Sequence, residues 1–230
     1  RHPQVRSFTS VQLADDRPGY LDGLGDVMSI FGIPYRGGYL SPDQGQAREG
    51  EVFSPCGAAM MIDRALFQGL GGFDEDFFCY GEDVDLGYRL QLADEPTLLV
   101  PGAVIRHVGS ASTGGRKSEF AVFHGTRNRF WVLFKDTPTL LLPLVVPLHL
   151  LALTAIYLRR ENRPHATLIW KAVKAAFAGA PMIFRSRRAV QAARRASFWQ
   201  VATAMTWNPR DLMGRRAVIR PLRPARSPSR

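Results

Sequence analysis

Residues 71–86 read Gly-Gly-Phe-Asp-Glu-Asp-Phe-Phe-Cys-Tyr-Gly-Glu-Asp-Val-Asp-Leu. Six carboxylates fall between Asp74 and Asp85, and four aromatic residues stand in the same stretch. A solvated surface helix does not usually combine charge and bulky rings so densely. The pattern is typical of a pocket wall, in which aromatic faces hold a ring and carboxylates bind hydroxyls or take a proton. We therefore expect this acidic stretch, residues 71–86, to carry the chemistry.

Short-range signals predict a helix on each side of the acidic loop. Asp63 is a good N-cap for a short helix over residues 64–70. A second helix is predicted over residues 82–93, with apolar residues on one face. Glu82 and Asp83 then lie on its first turn, where the helix dipole and free N–H groups favour an ionised carboxylate. Such a carboxylate suits a general base, although acidic residues are also ordinary signals for the start of a helix.

The surrounding chain indicates an α/β domain. Residues 5–13 predict a strand, and residues 51–62 predict an extended, largely buried segment. Two further short strands are predicted over 97–100 and 103–107, separated by a Pro-Gly pair. A helix from about residue 119 to 134 follows, because its aromatic residues keep helical spacing.

Four further residues suit a diphosphate or metal site. His107 ends a predicted strand, where a neutral imidazole suits a metal ligand, although a lone histidine is more often structural. Arg116, Lys117 and Arg127 follow a polar, glycine-rich loop. Basic side chains beside a mobile loop suit a diphosphate leaving group, and a solvated basic loop is the alternative interpretation.

Composition and charge exclude several classes of protein. The hydrophobic fraction of 46% is not that of a disordered chain. Two cysteines give neither a disulfide framework nor metal-ligand spacing, so we expect reduced thiols. The chain opens on Arg-His-Pro-Gln without an early apolar run, so no signal peptide is predicted. Residues 1–158 carry 13 Lys and Arg against 18 Asp and Glu, whereas residues 159–230 carry 17 against 2, which predicts two parts with different partners.

The basic part begins with apolar segments that indicate a membrane. Residues 139–158 lack a formal charge and are long enough to span a bilayer, and residues 166–184 are an amphipathic second candidate. Either both segments span the membrane or both lie in the interface, and the prolines in the first and the lysines in the second favour interfacial or re-entrant burial. The Arg-rich tail is expected to be partly disordered and to bind an anionic membrane surface. It lacks a recognisable nucleic-acid-binding module, so no nucleic-acid partner is predicted.

Five motifs occur in a characteristic order along the chain. They are Cys-Gly-Ala-Ala-Met-Met-Ile-Asp-Arg at 56–64, Gly-Gly-Phe-Asp-Glu-Asp-Phe-Phe at 71–78, Tyr-Gly-Glu-Asp-Val-Asp-Leu-Gly-Tyr-Arg at 80–89, Pro-Gly-Ala-Val-Ile-Arg-His-Val-Gly-Ser at 101–110 and Arg-Asn at 127–128. Together they resemble the acceptor half of the family-2 inverting glycosyltransferases, and most of all the rhamnosyltransferase-type members that build bacterial cell-surface polysaccharide. The resemblance covers roughly residues 20–136.

The resemblance implies a GT-A, Rossmann-like α/β fold, a nucleotide-sugar donor and a divalent metal, Mg²⁺ or Mn²⁺. It implies that Asp83 is the catalytic base that deprotonates the acceptor hydroxyl. It also implies that His107 is a metal ligand. The residues implied to line the acceptor pocket are Asp74, Phe78, Tyr80 and Glu82.

In the family, a nucleotide-binding half with an Asp-x-Asp metal motif precedes the matching region. Asp15-Asp16 is not followed by that pattern. We therefore expect the C-terminal part of a longer enzyme, lacking the nucleotide-binding half and not active alone. Residues 1–136 would form the acceptor side, residues 137–184 the membrane-associated helices, and residues 185–230 the basic tail.

The predicted function is sugar transfer to a lipid-linked or other saccharide acceptor in cell-surface polysaccharide synthesis. The reaction would be an inverting single displacement at the cytoplasmic face of the cell membrane. The first alternative is a non-catalytic membrane-associated remnant, or a subunit whose partner supplies the nucleotide-binding half. A metal hydrolase that uses His107 is another alternative, but no ligand spacing supports it.

Overall fold

A computed structural model describes residues 2–109, 118–158 and 164–223. Within these residues the fold is mixed α/β, as the sequence predicts. The strands are β1 (Ser7–Ala14), β2 (Leu21–Gly23), β3 (Asp26–Met28), β4 (Pro34–Arg36), β5 (Gly50–Val52), β6 (Met60–Ile62) and β7 (Thr97–His107). The helices are α1 (Arg64–Gly69), α2 (Glu82–Leu92), α3 (Glu119–Asp136), α4 (Leu142–Tyr157), α5 (Ala166–Ala178), α6 (Ala180–Ala192), α7 (Phe198–Ala204) and α8 (Pro209–Gly214).

The main sheet has the order β2-β1-β7-β5, and β6 pairs with the first part of β1. β1 and β7 run parallel, whereas β5 is antiparallel to β7. β3 and β4 form a separate antiparallel hairpin. The carboxyl ends of β1 and β7 therefore lie at one edge, which is where α/β sheets place ligands.

The prediction of two strands over 97–100 and 103–107 is wrong, because β7 is one strand. The Pro-Gly pair instead causes an irregularity in the pairing. Ser10 of β1 lies opposite Val100, whereas Val11 lies opposite Val104. Proline lacks the N–H that a ladder needs, so the strand bulges at this point without ending.

The predicted helices around the acidic stretch are confirmed. The Leu66 N–H donates to Asp63 Oδ1 at 2.9 Å, which caps α1. α2 begins at Glu82 and has Ala93 as its C-cap. The helix predicted over 119–134 is α3, and Ser118 caps its first turn.

One large core joins the sheet to α2 and α3. Phe53, which follows β5, packs edge to face on Tyr88 of α2, with 5.2 Å between ring centroids. Trp131 and Leu133 of α3 belong to the same buried cluster. α3 therefore links the sheet side of the molecule to the C-terminal helices.

The first part of the predicted Arg-rich tail, residues 185–223, is folded. Residue 185 lies inside α6, and α7 and α8 follow it. The chain then returns to the sheet, where the backbones of Glu51 and Arg220 exchange two hydrogen bonds of 2.7 and 2.9 Å. Arg223 forms ion pairs with Glu51 (2.5 Å) and Asp94 (3.0 Å). Residues 224–230 lie outside the described residues.

The apolar segment at 139–158 forms a short 3-10 helix followed by α4. Thr139–Tyr157 is long and apolar enough to cross a membrane. α5 and α6 together pass the same test, but they are bent by 58° at the break between them. One face of α4 is buried through Val145, His149 and Leu153, and the His149 imidazole lies 2.8 Å from the Phe31 carbonyl oxygen. α4 is thus attached to the α/β domain along one side.

Candidate active site

The acidic stretch forms one side of an open cleft of about 730 Å³. The start of α2 and the loop before it supply most of the wall. Arg36 of β4 and His107 at the end of β7 also line the cleft. The cleft brings together six of the residues singled out in the sequence, which are Asp74, Phe78, Tyr80, Glu82, Asp83 and His107.

Backbone N–H groups hold both carboxylate oxygens of Asp83. The Gly57 N–H donates to Oδ2 at 3.1 Å, and the Val84 N–H donates to Oδ1 at 2.9 Å. A Cβ at Gly57 would lie 2.9 Å from Oδ2, so this close approach requires glycine. The carboxylate therefore has a fixed orientation at the start of a helix, as a general base requires.

The expectation that Glu82 is readily ionised is not borne out. Burial raises the pKa of Glu82, and the neighbouring Asp83 carboxylate raises it further. One carboxylate oxygen of Glu82, Oε2, is buried without a hydrogen-bond partner among the described residues. Desolvation at this position therefore outweighs the effect of the helix dipole.

The loop between Phe77 and Gly81 has a strained backbone. Phe78 and Tyr80 have positive φ angles of 62° and 66°, which side chains other than glycine rarely adopt. The Asn128 Nδ2 group of α3 lies 2.9, 2.8 and 2.6 Å from the carbonyl oxygens of Phe77, Cys79 and Tyr80. These contacts hold the loop in a conformation that presents the Phe78 and Tyr80 side chains to the cleft. The sequence prediction did not assign Asn128 to the site, although Arg127-Asn128 belongs to the matching motifs.

Asp74 lines the cleft and also holds the loop. Its carboxylate accepts a hydrogen bond from the Asp76 N–H (3.1 Å) and forms an ion pair with Lys135 (2.5 Å). Burial alone would raise the pKa of Asp74, but the hydrogen bond and charge of Lys135 produce a net lowering. Asp74 is therefore an ionised residue that supports the loop.

His107 is held by a carboxylate. Its Nδ1 lies 2.6 Å from Asp22 Oδ2, and Arg36 forms an ion pair with the same carboxylate. When Nδ1 carries the proton, it donates to Asp22 and leaves the Nε2 lone pair available to a ligand. Metal-ligating histidines commonly have this arrangement, so His107 fits the role implied by the resemblance.

A second potential ligand group was missed in the sequence. One ligand atom from each of Asp26, Cys56 and Asp83 lies within 4.8 Å of the others. Burial, and then Asp83, raise the pKa of Asp26 well above its ordinary value. Burial and the nearby Asp26 carboxyl raise the pKa of Cys56 to about 12, so its thiol is protonated at neutral pH. The group therefore offers oxygen ligands from Asp26 and Asp83, the type that Mg²⁺ and Mn²⁺ prefer.

Only one of the three basic residues predicted to bind a diphosphate lies within the described residues. Arg116 and Lys117 fall in the range 110–117, outside them. Arg127 lies apart from the cleft lining, with its guanidinium 4.1 Å from the Trp131 ring centroid. It donates to the Phe77 carbonyl oxygen at 3.0 Å. Among the described residues, Arg36 is a cationic side chain that does line the cleft.

Comparison with known proteins agrees with the geometry of the cleft. This chain is 45% identical over 58 residues to the N-acetylglucosaminyl-diphospho-decaprenol L-rhamnosyltransferase of Mycobacterium tuberculosis, in strain CDC 1551 / Oshkosh and in strain ATCC 25618 / H37Rv. The match covers 25% of this chain and 19% of each relative's length. Residues 1–132 match the family described as "Glycosyltransferase like family 2". Since that match covers more than half of the 230 residues, the chain belongs to this glycosyltransferase family and resembles its rhamnosyltransferase members.

Proposed function

We propose that this chain forms the acceptor side of an inverting glycosyltransferase that moves a sugar from a nucleotide-sugar to a saccharide on a lipid carrier. The observation that carries the proposal is the Asp83 carboxylate, held by two backbone N–H groups in a cleft with aromatic walls. The lipid carrier is suggested by the name of the mycobacterial relatives.

In the proposed reaction, Asp83 accepts the proton of the acceptor hydroxyl. The hydroxyl oxygen attacks the anomeric carbon of the donor sugar, the bond to the nucleoside diphosphate breaks, and the configuration inverts. Phe78 and Tyr80 hold the acceptor ring against the loop, where aromatic faces suit the C–H faces of a sugar.

His107 would hold the divalent metal, Mg²⁺ or Mn²⁺, through Nε2, and Asp22 would orient the imidazole. When bound, such a metal supplies charge that stabilises a departing diphosphate. Arg36 lies beside Asp22 and would balance its charge when the imidazole is neutral.

Asp22→Asn is expected to weaken metal binding by about 10–100-fold, because the residue that orients the metal-ligating histidine is changed. Titration of Mn²⁺ followed by electron paramagnetic resonance measures the affinity without requiring turnover. Asp16→Asn, at an exposed position, is the matched control and should leave the affinity unchanged. If Asp22→Asn and the unchanged protein bound Mn²⁺ with equal affinity, Asp22 and His107 would not be part of the metal site.

We also propose that the protein works at the cytoplasmic face of the cell membrane. The outer face of α4 exposes Leu144, Leu150 and Leu151, whereas its other face is attached to the α/β domain. A helix held in this way suits burial in the lipid interface. The excess of Lys and Arg after residue 158 favours an anionic surface.

The function is tested by a transfer assay on the native protein in its membrane fraction. The probes are labelled nucleotide-activated L-rhamnose and N-acetylglucosaminyl diphosphate decaprenol. We expect label in the butanol-extractable product, with inverted anomeric configuration. Retained configuration would contradict the single displacement, and label confined to a water-soluble saccharide would contradict the lipid-linked acceptor.

The same assay also tests attachment to the membrane and the alternative of a non-catalytic remnant. Washing the membranes with carbonate before the assay shows whether the activity stays bound, and complete release argues against a spanning helix. A non-catalytic remnant would give no transfer in the native protein under any of these conditions.

A further inference from the structure

An apolar pocket of about 210 Å³ lies outside the cleft, between α3 and the bent pair α5–α6. Its walls include Trp131 and Phe134 from α3, and Phe177, Ala180 and Phe184 from the other two helices. Phe177 and Phe184 are 61% and 50% exposed, so apolar side chains also form its rim. Exposed aromatic rings around an apolar opening are typical of a binding site for an apolar ligand.

The bend between α5 and α6 creates this pocket. The two helices meet at 58° around Gly179. A Cβ at Gly179 would lie 2.7 Å from the Trp131 ring, so the ring can reach the bend only because this residue is glycine. The Trp131 indole N–H donates to the Ala176 carbonyl oxygen at 3.0 Å, which fixes the ring in the wall.

Trp131 connects the pocket to the loop between Phe77 and Gly81, because it lines the first and contacts the second. Trp131 packs edge to face on Phe77 of that loop, with 5.8 Å between ring centroids. Arg127 lies over the same indole and donates to the Phe77 carbonyl oxygen. The Arg127 guanidinium therefore contacts both the Trp131 ring that lines the pocket and the loop that presents Phe78 and Tyr80.

We propose that this pocket binds the isoprenoid chain of the lipid carrier at its diphosphate end, with Arg127 at the diphosphate and the saccharide in the cleft. The inference rests on the proposed function, which it deepens by naming the site of the carrier. The order of chemistry along the molecule matches that of a polyprenyl diphosphate sugar, namely an apolar chain, two phosphates and a sugar. Guanidinium groups are well suited to phosphate, and the apolar wall favours burial of the chain. Arg127 would then bind the acceptor's diphosphate, where the sequence suggested the donor's.

The test is isothermal titration calorimetry of the whole chain with farnesyl diphosphate, inorganic diphosphate and farnesol. We expect farnesyl diphosphate to bind more tightly than either fragment. Ala180→Phe places a ring in the pocket and should weaken farnesyl diphosphate binding by about tenfold or more. Ala178→Phe adds the same ring at an exposed position of α5 and should leave the affinity unchanged.

Two arginine variants test the diphosphate contact. Arg127→Gln should weaken the binding of farnesyl diphosphate but leave that of farnesol unchanged. Arg188→Gln, at an exposed position of α6, should change neither. A larger effect of Arg188→Gln than of Arg127→Gln would overturn the placement of the diphosphate.

The result that overturns the site itself is equal binding of farnesyl diphosphate and farnesol, as a general apolar pocket for membrane lipid would give. Equal effects of Ala180→Phe and Ala178→Phe would also overturn it. These titrations require no turnover, so they are independent of the transfer assay. Absence of sugar transfer alongside selective binding would refute the proposed function and leave the carrier site supported.

Discussion

Asp83→Asn is expected to lower kcat for sugar transfer by about 10²–10⁴-fold, the range that a positioned general base contributes. The amide has the shape of the carboxylate, and its Oδ1 still accepts the Val84 N–H. It cannot accept the acceptor's proton, so the loss should fall on kcat, with a small change in KM. The measurement is steady-state transfer by the native protein, together with its melting temperature.

Two neighbouring changes make this result specific. Asp76→Asn removes a carboxylate from an exposed position in the same acidic stretch and should keep kcat near its original value. Glu82→Gln tests the adjacent carboxyl, whose pKa is raised by burial and by Asp83. A larger loss of kcat in Glu82→Gln than in Asp83→Asn would move the role of base to Glu82. Transfer by Asp83→Asn at the original rate would remove Asp83 from the chemistry.

Lys135→Met is expected to lower the free energy of unfolding by about 3–5 kcal/mol, because removal of one partner leaves a buried charge uncompensated. Lys135 is 1% exposed, and its ammonium lies 2.5 Å from both Asp74 and Asp85. Burial alone would lower the pKa of Lys135, but Asp136 and Asp85 give a net rise, so the amine stays charged at neutral pH. Methionine fills a similar volume but has neither the charge nor the N–H donors of lysine. Urea unfolding followed by circular dichroism gives the change.

Lys171→Met is the matched control, since Lys171 is exposed on α5. It should leave the urea midpoint unchanged. An equal, small effect of both lysine changes would mean that the buried carboxylates find other compensation, from Arg89 for example, which lies 2.6 Å from Asp85. In that case the acidic stretch does not depend on Lys135 for its conformation.

The helices that support the site are predictable because their signals are local. Asp63 caps α1 through a residue three positions later, and the first turn of α2 contains its own acidic residues. The exposed, short β6 and the continuous β7 were harder to predict, because pairing with β1 decides both. Strand pairing depends on distant partners that short-range patterns do not contain.

The residues of the site also fall into those that a local motif identifies and those that only the fold brings together. Asp83, Phe78 and Tyr80 are adjacent in sequence, so one motif identifies them and the structure brings them to one cleft. Asp26 lies far from this motif in the chain, and its pairing with Arg36 and with Ser54 brings it close to Asp83. Asn128 likewise acts on the loop from a distant helix. The raised pKa of Glu82 was not predicted from the sequence, because its main cause is burial, which the sequence does not reveal.

The pairing of the C-terminal chain with the edge of β5 limits where this protein can be truncated for expression. The family match ends at residue 132, inside α3 and one turn before its C-terminus. A fragment cut there lacks Lys135 and the Arg220 backbone that pairs with Glu51, and it leaves a sheet edge open to other chains. The shortest fragment that keeps all of these contacts and the Arg223 ion pairs therefore extends through Arg223, well past the boundary that sequence similarity suggests.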